Sequence, residues 1–223
     1  MSLTKYREKR NFARTPEPLG EPTAKRSSKG LVYVVQKHRA SHLHYDFRLE
    51  FGGVLLSWAV PKGPSLNPSV KRLAMRVEDH PLAYAAFEGV IPEGDYGGGT
   101  VMVWDKGTWT AESEDAAEAL ENGDLKFTLR GQKLRGSWVL VRTRGFGSRA
   151  DKSWLLIKHR DRFASGNDVT IEKPRSAASH RLLADIARDE GGDVAKAATG
   201  DPKPLGRQFK KAKRTGSNQR GRS

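Results

Sequence analysis

The chain has 223 residues, of which 36% are hydrophobic and 30% charged. It contains no cysteine, which excludes a disulfide scaffold, a zinc–thiolate site, an iron–sulfur cluster and a cysteine nucleophile. No run approaches the roughly 20 apolar residues of a membrane helix, and the opening MSLTKYREKR lacks the apolar stretch of a secretory signal, so the expected location is the cytoplasm.

The net charge of +14 is concentrated at the two ends. Residues 1–30 carry 8 Lys/Arg against 3 acids, and residues 202–223 carry 8 Lys/Arg and no acid. The middle is nearly neutral, with 24 Lys/Arg against 23 acids. Two basic ends on a neutral body suit a polyanion, most simply nucleic acid. Solvated tails that only keep the chain soluble are the alternative.

Residues 1–30, rich in proline, serine and charge, read as a basic extended arm rather than a packed element. From Leu31 the texture becomes short β-type runs: LVYVVQ at 31–36, then the strictly alternating HLHYDFRLEF at 42–51. Gly52-Gly53 reads as a hairpin turn into VLLSWAVP at 54–61. RLAMRVED at 72–79 follows a proline-rich loop. TVMVWD at 100–105 and GTWTAE at 107–112 are expected to flank a turn at Lys106-Gly107. LKFTLR, RGSWVLVRT and SWLLIK complete the strands up to residue 158. One helix is expected between a cap at Ser113 and a stop at Gly123, and a second short one within 176–190. Residues 191–223 read as a disordered basic tail. The whole is mainly β: a compact β-barrel of about eight strands over 31–175, with one or two short helices and basic flexible termini.

Alternation puts His42, His44, Asp46, Arg48 and Glu50 on one strand face, and Leu43, Tyr45, Phe47, Leu49 and Phe51 on the other. The second face is core. Imidazole with carboxylate is a ligand set for Mn, Zn, Fe or Co. His44 and Asp46 supply two ligands, and His38, at the end of the preceding strand, folds over as a third. Arg48 can grip an anionic oxygen in its planar fork. A dication beside an arginine makes a phosphate site; an exposed polar face is the plain alternative. In RVEDHPLAY, His80 and Tyr84 can meet a phosphate if the turn at 79–81 projects off the sheet edge beside the first cluster. PEGDYGGGT at 92–100 is glycine-rich, but no Lys-Ser/Thr follows, so it is not a P-loop. The five tryptophans, in strand-like runs, are expected in the core. Neither Gly-x-Ser-x-Gly nor Lys-x-Asp-Gly occurs, which argues against a serine hydrolase elbow and a nucleotidyl-transfer lysine.

The long runs VVQKHRASHLHYDFRLEFGGVLLSWAVPKGPS and RVEDHPLAYAAFEGVIPEGDYGGGTVMVWDKGTW resemble the 3′-phosphoesterase domain of bacterial DNA ligase D, the end-healing module of non-homologous end joining. The likeness spans about residues 5 to 180. The resemblance implies a Mn²⁺-dependent site, other divalent transition metals being open. The implied reaction removes a 3′-terminal ribonucleoside and a 3′-phosphate from a primer–template end, leaving a 3′-hydroxyl that can be ligated. By motif, His38, His44 and Asp46 correspond to the metal ligands, and Arg48, His80 and Tyr84 to phosphate-engaging and catalytic residues. Lys62, Arg72 and Glu78 correspond to supporting positions. In the arm, Arg10-Asn11-Phe12 and Glu17 stand where the family has Arg-Asp-Phe and a Glu; Asn11 removes a negative charge. The expected partners are DNA or DNA/RNA 3′ ends, with Ku and a DNA ligase D or separate ligase. A cytoplasmic, nucleoid-associated monomer is expected. A non-catalytic DNA-binding module and a zinc-containing structural domain remain the competing readings.

Overall fold

The computed structural model describes residues 2–20, 30–143 and 152–203. Strands β1 (Leu31–Arg39), β2 (Leu43–Phe51) and β3 (Val54–Val60) form an antiparallel meander. Both residues of the β2–β3 turn have left-handed backbones, Gly52 at φ 58° and Gly53 at φ 83°, which is why this turn is built from glycine. After β4 (Arg72–Arg76) come two short strands, β5 (His80–Pro81) and β6 (Gly89–Ile91), separated by a 3-10 turn over Leu82–Ala86. The long β7 (Gly99–Ala111), then β8 (Asp124–Gly131), β9 (Arg135–Arg142) and β10 (Ser153–Lys158), complete the sheet. The ring runs β1-β2-β3-β4-β10-β9-β8-β7, and β7 pairs back with β1. The result is a closed eight-stranded antiparallel barrel, as the alternation of short apolar runs predicts. β5 pairs with β3 and β6 with β7, both outside the ring.

The inward residues of each strand fill the barrel. Tyr33 and Val35 of β1 and Tyr45, Phe47 and Leu49 of β2 pack with all five tryptophans. Trp58 meets Trp154 edge-on at 5.9 Å between centroids, and Trp109 meets Phe127 at 6.2 Å. Such contacts add roughly 0.5–1.5 kcal/mol each to the burial of large rings. A second, smaller apolar cluster lies outside the ring, where Tyr6, Leu55, Tyr84 and Phe87 cover Val34, Val101 and Val103.

That outer cluster corrects the reading of the arm over residues 2–20; residues 21–29 of the expected arm lie outside the described residues. Residues 2–20 are not an unpacked extension: α1 (Thr4–Glu8) forms, and Tyr6 is fully buried. Tyr6 packs edge-on against His80 at 5.1 Å and Tyr84 at 6.0 Å, and its hydroxyl donates to the Pro18 carbonyl at 2.6 Å. The low apolar content of the arm concealed this, because a few residues, Tyr6 with Leu3 and Phe12, anchor it.

Lys106-Gly107 is likewise not a turn. β7 runs through it unbroken, with an irregularity opposite Val35 and Gln36 where the partner jumps from Asp105 to Val103. Gly107 is required by crowding: a Cβ there would collide with the Arg130 carbonyl. Helix α2 (Ala116–Asn122) is capped by Asp115 rather than Ser113, since the Asp115 carboxylate accepts from the Ala117 and Glu118 amides at 2.8 and 3.0 Å. It ends at Gly123, φ 78°, as expected. Three further short helices follow: α3 (Val169–Glu172), α4 (Leu183–Asp189) and α5 (Val194–Ala198). α4 is shorter than the 176–190 expected. Residues 191–203 are structured rather than disordered: Ala197 of α5 is buried, and the Asp201 carboxylate accepts from the Leu183 and Ala184 amides that open α4. The remainder of the expected tail, 204–223, lies outside the described residues. Among the described residues no helix is long and apolar enough to cross a membrane.

Candidate metal and phosphate site

The site is on the outer face of the β1–β2 hairpin. The register pairs His38 with His44, Gln36 with Asp46 and Val34 with Arg48. Because side chains alternate, the inward Tyr45 and Phe47 place His44, Asp46 and Arg48 together on the outer face beside Gln36 and His38. This face is not exposed: Asp46, Arg48, Gln36 and His38 are buried, with Tyr84 of the 82–86 turn against Gln36 and Arg48 and Gly97 against His38.

The Asp46 Oδ2 atom is the meeting point. His38 Nδ1 lies 3.7 Å from it, His44 Nε2 3.6 Å, and an Arg48 terminal nitrogen 3.3 Å. Ligand atoms of His38, His44 and Asp46 all lie within 4.8 Å of one another. The other ring nitrogen of each histidine faces a backbone carbonyl. His38 Nε2 is 2.8 Å from Gly97 O, and His44 Nδ1 is 3.0 Å from His42 O. A carbonyl only accepts, so each of these nitrogens carries the proton. The facing nitrogens, His38 Nδ1 and His44 Nε2, therefore keep their lone pairs toward Asp46 in the neutral rings. Carbonyl-tethered imidazoles of this kind are how metal-ligating histidines are held. The donor set fits a divalent transition ion.

Burial alone would raise the Asp46 pKa, but Arg48, then His38 and His44, outweigh it and hold the carboxyl well below its usual range. For His44, burial opposes protonation, yet the hydrogen bond and charge of Asp46 dominate and raise its pKa.

Arg48 is fixed from three sides. Its Nε donates to Gln36 Oε1 at 2.8 Å, one terminal nitrogen donates to Ser57 Oγ at 2.8 Å, and the other faces Asp46. Gln36 in turn donates to the Tyr84 and Phe87 carbonyls at 3.0 and 2.9 Å. His80, expected to project off the sheet edge, is instead buried opposite Leu55 in the β3–β5 pairing. Its Nδ1 lies 2.9 Å from the Glu78 carbonyl, and its Nε2 lies 3.2 Å from an Arg10 nitrogen. An arginine only donates, so the neutral ring gives its Nδ1 proton to Glu78 and accepts from Arg10 at Nε2. The Arg48 nitrogen at 2.9 Å from Nδ1 is then a close approach rather than a hydrogen bond. Burial, then Arg48 and Arg10, push the His80 pKa well below normal.

The arm closes the site. Arg10 donates through Nε to Glu17 at 2.8 Å and lies over the Tyr6 ring at 3.9 Å. The Tyr84 hydroxyl donates to the same Glu17 oxygen at 2.8 Å. Burial and the Glu17 charge push the Tyr84 pKa well above normal. Glu78 is bound by Lys9 at 3.0 Å and lies 3.6 Å from Arg10. Thus His38, His44, Asp46, Arg48, His80, Arg10, Glu17, Tyr84 and Glu78 form one connected network. Lys62 and Arg72 are not drawn into it by any hydrogen bond or ion pair among the described residues. Lys62 is exposed in the turn after β3, and Arg72 opens β4 with its Nε buried and without a hydrogen-bond partner. Asn11 serves a local turn, its Oδ1 accepting from the Ala13 amide at 3.1 Å.

His42 contributes its carbonyl; its side chain is exposed and precedes β2, which starts at Leu43. Gln36, Ser57 and Lys9 belong to the network and escaped the sequence reading. The first two carried a signal, as polar residues within apolar strand runs. Lys9 carried none, being one of many arm cations.

Residues 36–142 match the family model described as the DNA ligase D 3′-phosphoesterase domain. This segment belongs to that family. The multifunctional non-homologous end joining protein LigD of Pseudomonas aeruginosa is 54% identical over 184 residues, covering 81% of this chain and 22% of the relative. The multifunctional non-homologous end joining DNA repair protein LigD of Mycobacterium tuberculosis is 48% identical over 144 residues, covering 64% of this chain and 18% of its own length. The Mycolicibacterium smegmatis LigD is 40% identical over 164 residues, or 71% of this chain and 21% of the relative. The chain thus spans about a fifth of the length of the curated relatives it matches. The matched segment includes seven of the connected site residues; Arg10 and Glu17 lie before it.

Proposed function

We propose that the chain is a divalent-metal-dependent phosphoesterase of non-homologous end joining, removing 3′-phosphates and 3′-terminal ribonucleosides from primer–template ends. The observation that carries this reading is the single network in which two tethered imidazoles and a carboxylate adjoin two arginines and an uncharged histidine. A module that only binds nucleic acid needs cations, but not imidazole lone pairs aimed at a carboxylate oxygen. His38, His44 and Asp46 would hold the ion, which we take to be Mn²⁺. When bound, such an ion polarises a phosphoryl oxygen and offsets the charge that grows on it.

The remaining residues act on the phosphate. Arg48, already locked by Gln36 and Ser57, offers charge without the entropy of being ordered. Arg10 does the same from the arm. His80 meets the substrate uncharged, and its Nε2, which accepts from Arg10 here, becomes an acceptor for the substrate once Arg10 turns to the phosphate. A phosphate dianion beside it opposes the field of the two arginines and raises its basicity. The freed Nε2 can then take the proton of the attacking water, while the leaving oxygen, on the opposite side of the phosphorus, is protonated from solvent. Glu17 holds Arg10 and Tyr84 in place from below. Product ends with a 3′-hydroxyl suit a ligase, so Ku-bound DNA ends and a DNA ligase D or separate ligase are the partners proposed.

The polarity of this reading is tested with matched duplexes bearing one phosphate, at either the 3′ or the 5′ end, in Mn²⁺. Release of inorganic phosphate from the 3′ end supports it; preferential release from the 5′ end contradicts it.

A further inference from the structure

Tyr96 is left over from the network yet stands against both halves of it. It is one of four large hydrophobic residues exposed among the described residues, with half its surface open. The ring stands in the glycine-rich loop between β6 and β7. The loop is rigid where it carries the ring: Gly98 N donates to Asp95 O at 3.0 Å, and Gly97 adopts φ 81°. The next residue, Gly97, supplies the carbonyl that tethers the metal-side histidine His38. On the other side, Lys9 Nζ donates to the Tyr96 hydroxyl at 3.0 Å and lies 4.3 Å from the ring centroid. Arg10 bridges the two places, its guanidinium 5.9 Å from the Tyr96 centroid and one nitrogen 3.2 Å from His80 Nε2.

Tyr96 also lines a groove of about 900 Å³, together with Lys9, Arg76, Glu78 and Asp79. That volume holds a nucleotide-sized ligand. The ligand class follows from what adjoins the groove: Arg10, beside Glu78 and His80, then the Lys9 cation, then the half-open ring of Tyr96 at its lip. An aromatic face stacks any base without reading its edges.

We propose that Tyr96 is the platform on which the base of the 3′-terminal nucleoside stacks while its phosphate is met by Arg10 at the edge of the Arg48–His80 cluster. This rests on the 3′-phosphoesterase reading and adds to it a positioning residue. Lys9 anchors the hydroxyl so that the ring is set before the end arrives, and the cation over the ring suits a ligand that is both anionic and aromatic.

The test uses the full chain and two primer–template probes with a 3′-phosphate, identical except that the terminal nucleoside of one is abasic. Equilibrium affinity is measured by fluorescence anisotropy in chelator, and phosphate release is measured in Mn²⁺. The wild-type chain should prefer the base-bearing end by roughly 5- to 100-fold. Tyr96→Ala and Tyr96→Leu should bring that ratio close to one and raise KM on the base-bearing end more than they lower kcat. Tyr96→Trp should restore the ratio, and Tyr96→Phe should keep most of it. The proposal is overturned if Tyr96→Ala weakens both probes alike, or lowers kcat while the ratio stays at its wild-type value. The second outcome would make Tyr96 a support for the Gly97–His38 contact instead. A wild-type chain that releases phosphate from neither probe contradicts the phosphoesterase reading, and the anisotropy ratio still decides the stacking.

Discussion

Asp46 serves two cationic neighbourhoods with one oxygen, and its protonation decides how each is populated. Its folded pKa is depressed, so its ion pairs stabilise the chain above the unfolded carboxylate range near 4 and are lost as pH falls through the folded value. His44 has the opposite sign. Its raised pKa means that its pairing with Asp46 is fully present below about 6.5 and is lost as pH rises through the folded value. A metal ion must displace that proton. Mn²⁺ affinity, measured by titration with electron paramagnetic resonance, should therefore weaken below the raised His44 pKa, approaching about tenfold per pH unit. Affinity that is flat between pH 6 and 8 would contradict the assignment. Asp46→Asn should lower phosphate release at least about 100-fold, through metal binding, while a cooperative thermal melt is kept. The side chain lies on the outer face, and the barrel interior is untouched. Wild-type turnover by this variant at saturating Mn²⁺ would remove Asp46 from the ligand set.

The elements divide the labour between rigid strands and added covers. β1 and β2 set the ligand spacing through register: alternation within β2 groups His44, Asp46 and Arg48, and His38 joins them across the hairpin from the preceding strand. Their burial could not be read from the same pattern, because the 82–86 turn and Gly97 that cover them are distant in sequence. His80 was misplaced for that reason: a two-residue strand such as β5 is too short to leave a periodic signal. Lys62 and Arg72 are matched by motif alone, and no hydrogen bond or ion pair ties them to the network among the described residues. Short helices are decided by single caps. Asp115→Ala should cost about 1 kcal/mol and lower Tm by roughly 2–4 °C in a chain of this size. Phosphate release should be unchanged, because α2 lies away from the network. A calorimetric melt and a release assay on one sample check both halves; unaltered Tm would move the cap back to Ser113.

At the scale of the molecule, a nearly neutral barrel carries its chemistry on one outer face and most of its surplus charge at its ends. Residues 204–223 hold Arg207, Lys210, Lys211, Lys213, Arg214, Arg220 and Arg222 and no acid. Such a segment binds phosphates without sequence preference and releases counterions. A chain ending at Lys203 keeps Asp201, which caps α4, and should bind DNA more weakly. If about half of the removed charges contact duplex, its slope of log K against log salt should be shallower by roughly 3. Superimposable salt titrations of the two chains would show that the tail does not touch DNA.

One network, built from the β1–β2 face and closed by the arm, is proposed to hydrolyse a 3′-phosphoester with a divalent ion. The most direct measurement is a time course of inorganic phosphate released from a 3′-phosphate primer–template by the full chain, with Mn²⁺ and with excess chelator. Multiple turnovers in Mn²⁺, loss of release in chelator with the circular dichroism spectrum retained, and recovery on adding Mn²⁺ back are the predicted result. Equal release with and without chelator would contradict the account.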